Sequence, residues 1–90
     1  MTLDKRKLTL PELAQKKTAG ERLVMVAVGE VLTVAWAERA GVDIIGVGDS
    51  LGMTLHGHEN TVSMTVDQMI MHTLAVRRGA PNTLCLASMP

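Results

Sequence analysis

A short turn in the middle of the chain combines a carboxylate and a hydroxyl directly after an apolar segment. Asp49 and Ser50 stand between Gly48 and Gly52, and apolar residues 44–47 precede them. A carboxylate at the end of a buried strand can hold a hard cation such as Mg²⁺, with substrate oxygens completing the coordination shell. An aspartate in a turn is also compatible with local hydrogen bonding alone. Asp49 is therefore a candidate metal ligand, and the alternative is that it only stabilises the turn.

Three apolar runs are predicted strands. The first, residues 23–28, is continuous and rich in β-branched side chains, which is typical of a strand covered on both faces in a parallel sheet. The second is residues 44–47 and the third is residues 84–87. Ligand sites of parallel sheets lie at the carboxyl ends of the strands. The sequence therefore predicts that Asp49 and Ser88 lie at one edge of a sheet.

Three helices are predicted to alternate with these strands. Capping-box patterns at Thr9 and Thr65 begin two of them, and Gly41 is a C-terminal cap for the other. Trp36 is expected to be a packing anchor of the middle helix. The predicted helices cover residues 10–19, 31–40 and 65–79. The predicted inner face of the last one consists of Val66, Met69, Ile70, Thr73 and Leu74.

The connection over residues 51–64 is long for a strand-to-helix loop, and long ordered loops in compact α/β domains are usually functional. It contains His56 and His58. Two histidines without a third ligand are more typical of ordinary loop residues than of a metal site. We expect His58 to shape the loop, and the sequence assigns no role to His56.

Composition excludes several classes of function. Nine basic and nine acidic residues give zero net charge, so nothing indicates a nucleic-acid partner. Cys85 is the single cysteine and lies in an apolar run, which indicates a buried thiol in a reducing compartment. No apolar run approaches the roughly 18 residues of a membrane span, and the N-terminus is polar. A cytoplasmic protein with no membrane contact is expected.

The length allows one small domain. We interpret residues 1–90 as one incomplete segment of a barrel. Residues 1–8 are a polar lead-in, and helices and strands alternate over residues 9–90. Three parallel strands are too few for a (β/α)₈ barrel, which typically needs about 250 residues. The α/β chain is therefore expected to form at most the first third of such a barrel: an N-terminal helix, three strands and the intervening helices.

A resemblance covers roughly residues 16–90 in order and spacing. It is carried by VGDSLGMT at 47–54, GH at 57–58, HT at 72–73 and AVRRGAPN at 75–82. In these features the chain resembles the N-terminal third of the ketopantoate hydroxymethyltransferases. The resemblance implies a (β/α)₈ barrel in a homodecamer. It also implies magnesium and transfer of a hydroxymethyl group from 5,10-methylenetetrahydrofolate to 3-methyl-2-oxobutanoate in pantothenate synthesis.

The same resemblance assigns roles to two neighbouring residues. The family's Asp-Ser pair after the second strand matches Asp49, which would bind the metal, and Ser50, which with Asp49 would contact the 2-oxo acid. A divalent cation that binds the acid's carboxylate and ketone lowers the cost of forming an enolate. The chemistry that the resemblance implies therefore agrees with the interpretation of the residues themselves.

The chain also departs from the family pattern. A second metal-binding Asp of the family is replaced by Ser88, whose neutral hydroxyl is a poorer Mg²⁺ ligand but could still contact substrate. Gly29-Glu30 replaces a Tyr-Asp pair, and Ser63 replaces a proline. The family's third metal carboxylate and its general base lie beyond Pro90. We therefore expect no catalytic residue within these 90 residues, and no transferase activity from them alone.

Other functions remain open from the sequence. The loss of the acidic residue at position 88 favours a non-catalytic relative or fragment of the same family. A different magnesium-dependent lyase acting on small 2-oxo acids would use the same carboxylate. The letters GDSL at 48–51 also match the hydrolases in which such a serine is an acyl nucleophile, but the Asp-x-x-His pair that this chemistry requires is missing.

Overall fold

A three-stranded parallel sheet forms the centre of the fold. The structure, a computed structural model, describes residues 8–89. Most of the predicted lead-in at 1–8 therefore lies outside the described residues. The elements in chain order are α1 (Leu10–Thr18), β1 (Met25–Ala27), α2 (Val31–Ala40), β2 (Ile44–Val47), α3 (Leu51–Thr54), α4 (Val66–Gly79) and β3 (Leu84–Ala87).

The strands lie in the order β1-β2-β3, and both pairs are parallel. Ile44 of the central strand pairs with Met25 on one side and with Leu84 on the other. Successive parallel strands need a long crossover, which α2 supplies between β1 and β2 and α4 supplies between β2 and β3. The predicted α/β architecture with parallel strands is confirmed as an open sheet.

The hydrophobic core lies between one face of the sheet and helices α2 and α4. Ile45 and Val47 point to this face from β2, and Val34 of α2 and Val76 of α4 meet them, all at most 1% exposed. Full burial of such a side chain contributes about 1.5–3 kcal/mol relative to its exposure. This side of the sheet therefore supplies most of the packing that holds the strands in place.

Most element boundaries agree with the sequence. The predicted bounds of α2, β2 and β3 are confirmed, as are the capping boxes that begin α1 and α4. Gly41 caps α2 in the left-handed conformation, with φ of 87°. The first strand is shorter than residues 23–28, because the Val24 amide donates to the Asp43 carboxylate instead of to a neighbouring strand.

The predicted burial is wrong at several positions. Met25 of β1 is 53% exposed and Trp36 of α2 is 60% exposed, although the sequence indicated a covered strand and a packing anchor. In the described part of the chain, the core is built on only one side of the sheet. Of the predicted inner face of α4, Met69 is buried and Thr73 is half-buried. The remaining members are about half exposed: Val66, Ile70 and Leu74.

Two further expectations need correction. The connection over 51–64 is not a loop throughout, because its first four residues form α3. Cys85 is half-buried against the core rather than fully buried, because β3 is an edge strand of the sheet.

The contact between α2 and α4 is close because Gly79 has no side chain. A Cβ at this position would lie 2.5 Å from the Val34 side chain and 2.8 Å from the Val31 carbonyl oxygen. Both distances are shorter than real Cβ contacts, and the carbonyl belongs to backbone that cannot rotate away. Gly79 therefore sets the approach of the two helices.

We expect Gly79→Ala to lower the free energy of unfolding by about 1–3 kcal/mol, the usual cost of overpacking a close contact. Urea denaturation followed by circular dichroism measures the change. Arg78→Ala is the matched control, because Arg78 is exposed on the same turn and its replacement should alter stability by less than about 0.5 kcal/mol. A Gly79→Ala protein as stable as the wild type would contradict this account of the helix contact.

Candidate functional site

The turn that contains Asp49 joins β2 to the short helix α3. The Gly48 carbonyl accepts from the Leu51 amide at 3.2 Å, and the Asp49 carbonyl accepts from the Gly52 amide at 3.0 Å. Asp49 is half-buried and Ser50 is exposed. Within residues 8–89, no group donates a hydrogen bond to the Asp49 carboxylate. Among these residues, the alternative of a side-chain turn cap therefore has no support.

Ser88 lies beside the end of β2. Its amide donates to the Val47 carbonyl at 2.9 Å, which continues the β2–β3 pairing one residue beyond the last strand pair, Val47 with Ala87. Ser88 is exposed. The structure thus brings the backbone of Ser88 next to the Gly48-Asp49 turn, at the same carboxyl edge of the sheet.

The backbone conformation of the turn does not require its two glycines. Neither Gly48 nor Gly52 has a positive φ, so any residue could adopt their backbone conformations. Gly52 instead permits a close approach: a Cβ there would lie 2.6 Å from Cγ of the buried Met64. The end of the long connection therefore folds back against α3 and fixes the helix that follows Ser50.

Glu30 follows β1 at the same edge of the sheet, but its side chain caps the N-terminus of helix α2. Its carboxylate accepts from the amides of Leu32 and Thr33, both at 2.8 Å, and so caps α2. Hydrogen bonds from the Thr33 side chain and from these two amides hold the pKa of the Glu30 carboxyl below its ordinary value of 4.5. The sequence did not predict this cap, because glutamate is not among the residues usually found there.

The three histidines of the chain come together beside the turn. His56 contacts His72 through their Nε2 atoms at 2.9 Å, and the His58 ring stacks on the His56 ring at 5.9 Å. His72 lies on α4 and its Nδ1 donates to the Gly29 carbonyl at 2.8 Å. His58 was expected to shape the loop, and its ring lies 3.5 Å from the position of a Cβ at Gly52. The contact with His72 was missed because it joins residues 16 positions apart.

The opposite edge of the sheet is held by an ion pair. The Lys16 ammonium lies 3.1 Å from the Asp43 carboxylate, next to a cavity of about 200 Å³ at the amino ends of the strands. The Asp43 carboxylate also accepts from the Val24 amide. Residues at this end of parallel strands usually serve stability. The site of interest is therefore the carboxyl edge.

The carboxyl edge offers few ligands to a cation. In the described part of the chain, no group of three His, Cys, Asp or Glu side chains could surround a metal ion. Mg²⁺ is commonly held by only one or two protein carboxylates, with water and substrate oxygens at the other positions. One carboxylate at Asp49, with Ser50 next in the chain and the backbone of Ser88 beside the turn, fits that mode of binding and not a fully enclosed site.

The helices between residues 8 and 89 are all too short or too polar to cross a membrane.

Comparison with known proteins gives consistent matches. A family model described as ketopantoate hydroxymethyltransferase matches residues 7–90. A protein named 3-methyl-2-oxobutanoate hydroxymethyltransferase 1, from Methylibium petroleiphilum, is 48% identical over 87 residues, which are 97% of this chain and 30% of that protein. A 3-methyl-2-oxobutanoate hydroxymethyltransferase from Geobacillus kaustophilus is 55% identical over 74 residues, 82% of this chain and 26% of that protein. One from Shouchella clausii is 48% identical over 82 residues, 91% of this chain and 29% of that protein.

The chain therefore spans less than a third of the length of these relatives.

The Glu30 cap predicts a specific dependence of stability on pH. Because folding lowers the pKa of this carboxyl, its stabilisation is present above pH 4.5 and is lost as the pH falls through the lowered value. Thermal unfolding should therefore show Glu30→Gln less stable than the wild type at neutral pH, with the difference vanishing in acid. Glu21→Gln removes an exposed carboxylate outside the helices and is the control. An equal difference at pH 7 and pH 3 would contradict the cap's role.

Proposed function

Because this chain belongs to the ketopantoate hydroxymethyltransferase family, we propose that it forms part of an enzyme of pantothenate biosynthesis. That enzyme transfers a hydroxymethyl group from 5,10-methylenetetrahydrofolate to 3-methyl-2-oxobutanoate. The observation that supports the proposal is the position of Asp49, which lies just beyond the central strand of a parallel sheet and whose carboxylate accepts no hydrogen bond from residues 8–89. Ligand sites of parallel sheets lie at this edge. The fold therefore agrees with a substrate site at Asp49 and Ser50.

In the proposed site Asp49 holds Mg²⁺, and Ser50 and Ser88 contact the 2-oxo acid. The Asp49 carboxylate is half-buried and the two serine residues are exposed, so a small acid can reach all three from solvent. When bound, Mg²⁺ supplies the positive charge that stabilises an enolate of the 2-oxo acid. The residues of this chain orient the substrate: the hydroxyls of Ser50 and Ser88 donate hydrogen bonds to its oxygens.

Catalysis requires more than these residues supply. The described residues hold no set of three metal-binding side chains, and Glu30, the nearest replacement for a family acid, is occupied as a helix cap. We propose that these 90 residues have no transferase activity alone, and that the general base belongs to a part of the family's fold that they do not include.

The remaining features of the family follow as part of the proposal. The open sheet and the half-exposed face of α4 suit continuation of the sheet into a (β/α)₈ barrel. An apolar groove of about 240 Å³ lies between α4 and the end of β3, where a further unit of the barrel would pack. Assembly as a homodecamer and a cytoplasmic location rest on the family alone.

A non-catalytic relative of the same family is the second candidate, and Ser88 is the observation that favours it. The backbone of Ser88 occupies the position beside Asp49 from which a second carboxylate would reach a shared cation. A hydroxyl carries no charge, so the chain's affinity for Mg²⁺ is expected to be lower than with an aspartate there. A relative that binds the 2-oxo acid without converting it would retain Ser50 and lose this charge.

The other two alternatives have less support. A different magnesium-dependent lyase of 2-oxo acids would use the same Asp49 carboxylate, but the family match points to the transferase. A hydrolase would need a histidine beside the Ser50 hydroxyl. His56 and His72 bond to one another, His72 also bonds to Gly29, and no hydrogen bond joins a histidine to Ser50 among the described residues.

Titration of Mg²⁺ against variants tests the proposed site. We expect Asp49→Asn to weaken Mg²⁺ binding by about tenfold or more, because an amide oxygen lacks the charge of a carboxylate. Ser88→Asp should strengthen it, since the new carboxylate would lie at the same edge of the sheet. Isothermal titration calorimetry, with and without 3-methyl-2-oxobutanoate, measures both changes.

Asp67→Asn is the matched control, because Asp67 is an exposed aspartate on α4, outside the proposed site. Its Mg²⁺ affinity should equal that of the wild type. Equal affinities in the wild type and Asp49→Asn would show that Asp49 is not the ligand. A Ser88→Asp protein with unchanged affinity would mean that residue 88 does not share the cation with Asp49.

A further inference from the structure

The histidine cluster beside the turn contains a pair whose geometry suits a second kind of ligand. His56, from the connection after α3, and His72, from α4, bring their Nε2 atoms within 2.9 Å of each other. Their rings are nearly perpendicular, at 78°, with centroids 5.1 Å apart. Two imidazole nitrogens from separate elements of the fold thus face each other across one hydrogen bond.

The hydrogen bond between His72 and Gly29 determines which nitrogen of His72 is available. A backbone carbonyl can only accept, so Nδ1 of His72 carries the proton that is donated to the Gly29 oxygen at 2.8 Å. In the neutral ring, Nε2 then bears a lone pair, which accepts the hydrogen bond from Nε2 of His56. Histidines that bind metals in proteins are held in this way, with the second nitrogen donating to a carbonyl or carboxylate.

We propose that His56 and His72 form a two-imidazole site for a borderline divalent transition metal, such as Zn²⁺ or Cu²⁺. Imidazole nitrogen suits these ions, whereas the carboxylate of Asp49 suits Mg²⁺, so the two sites select different metals. Two nitrogens bound to tetrahedral Zn²⁺ at about 2.0–2.1 Å are separated by roughly 3.3 Å. To admit the ion, the two nitrogens must move apart by a few tenths of an ångström and both rings must turn, because the nitrogens now face each other along a hydrogen bond. The ion then replaces the proton of that hydrogen bond, which is released to solvent.

Solvent completes the coordination of the proposed ion. His56 is exposed and His72 is half-buried, so an ion can approach from water and keep water at its remaining positions. His58 stacks on His56 with an interplanar angle of 10°, which places its ring in a parallel plane beside the pair.

Binding at this pair would connect three parts of the carboxyl edge. The ion joins the connection after α3 to α4, and the His72–Gly29 hydrogen bond extends the link to the segment that follows β1. The site thereby restrains the loop that packs on Gly52, next to Asp49 and Ser50. The role of the proposed metal site is to hold this loop in place. This role does not depend on any catalytic activity of the protein.

The test is a titration of Zn²⁺ into metal-free protein in excess Mg²⁺, so that the Asp49 carboxylate does not contribute. We expect one equivalent to bind, and expect His56→Gln and His72→Gln each to weaken it by about tenfold or more, at least as much as loss of a supporting contact does. His58→Gln and Cys85→Ser are controls that should bind like the wild type. With Cu²⁺ as the probe, electron paramagnetic resonance should show two coupled nitrogens, and one in either single variant.

His56 is exposed, so His56→Gln is expected to fold even if His72→Gln disturbs the contact with Gly29. The proposal is overturned if the wild type binds no Zn²⁺, or if His56→Gln binds as tightly as the wild type. It is also overturned if the loss of binding follows Cys85→Ser, which would assign the ion to the thiol. Each of these results leaves the Mg²⁺ titration of Asp49→Asn unaffected.

Discussion

The hydrogen bond from the Ser88 amide to the Val47 carbonyl fixes the geometry on which the site depends. It extends the parallel pairing of β2 and β3 to the residues just beyond both strands. Because side chains alternate between the faces of a strand, a slip of one residue would turn Ile45 and Val47 out of the core. The register that buries these two side chains is thus the same register that places residue 88 next to Asp49. One strand register consequently determines both the packing on one face of the sheet and the arrangement of its carboxyl edge.

The central elements could be predicted from sequence because their signals are local. Ile44 to Val47 is an apolar run between a glycine cap and a glycine turn, and the strand has the predicted bounds. The capping boxes at Thr9 and Thr65 use contacts three residues apart, which a sequence displays directly. The family resemblance added the expected roles of Asp49 and Ser50, whereas the residues alone favoured a turn cap at Asp49.

Burial and long-range contacts could not be predicted in the same way. An apolar pattern indicates which face of an element prefers to be covered, but not whether anything covers it, and so Trp36 and Met25 are exposed. The approach of His72 to Gly29 joins residues 43 positions apart and depends on how α4 packs across the sheet. Glu30 as a helix cap was likewise missed, since its role follows from backbone geometry at the end of β1 rather than from residue type.

The neutral side chain of Ser88 is the feature that most affects the proposed chemistry. The strand pairing places the backbone of Ser88 beside the turn that contains Asp49, and the Ser88 hydroxyl carries no charge. In the proposed site, a cation at this edge is therefore held chiefly by Asp49, with residue 88 close to it.

Paramagnetic broadening by Mn²⁺ tests this arrangement most directly, because Mn²⁺ takes the same oxygen ligands as Mg²⁺ and broadens only nearby nuclear resonances. At the lowest Mn²⁺ concentrations, the account predicts selective broadening of the backbone amides of residues 48–50 together with that of Ser88. Broadening centred on another group of residues, or spread evenly over the acidic surface, would contradict it.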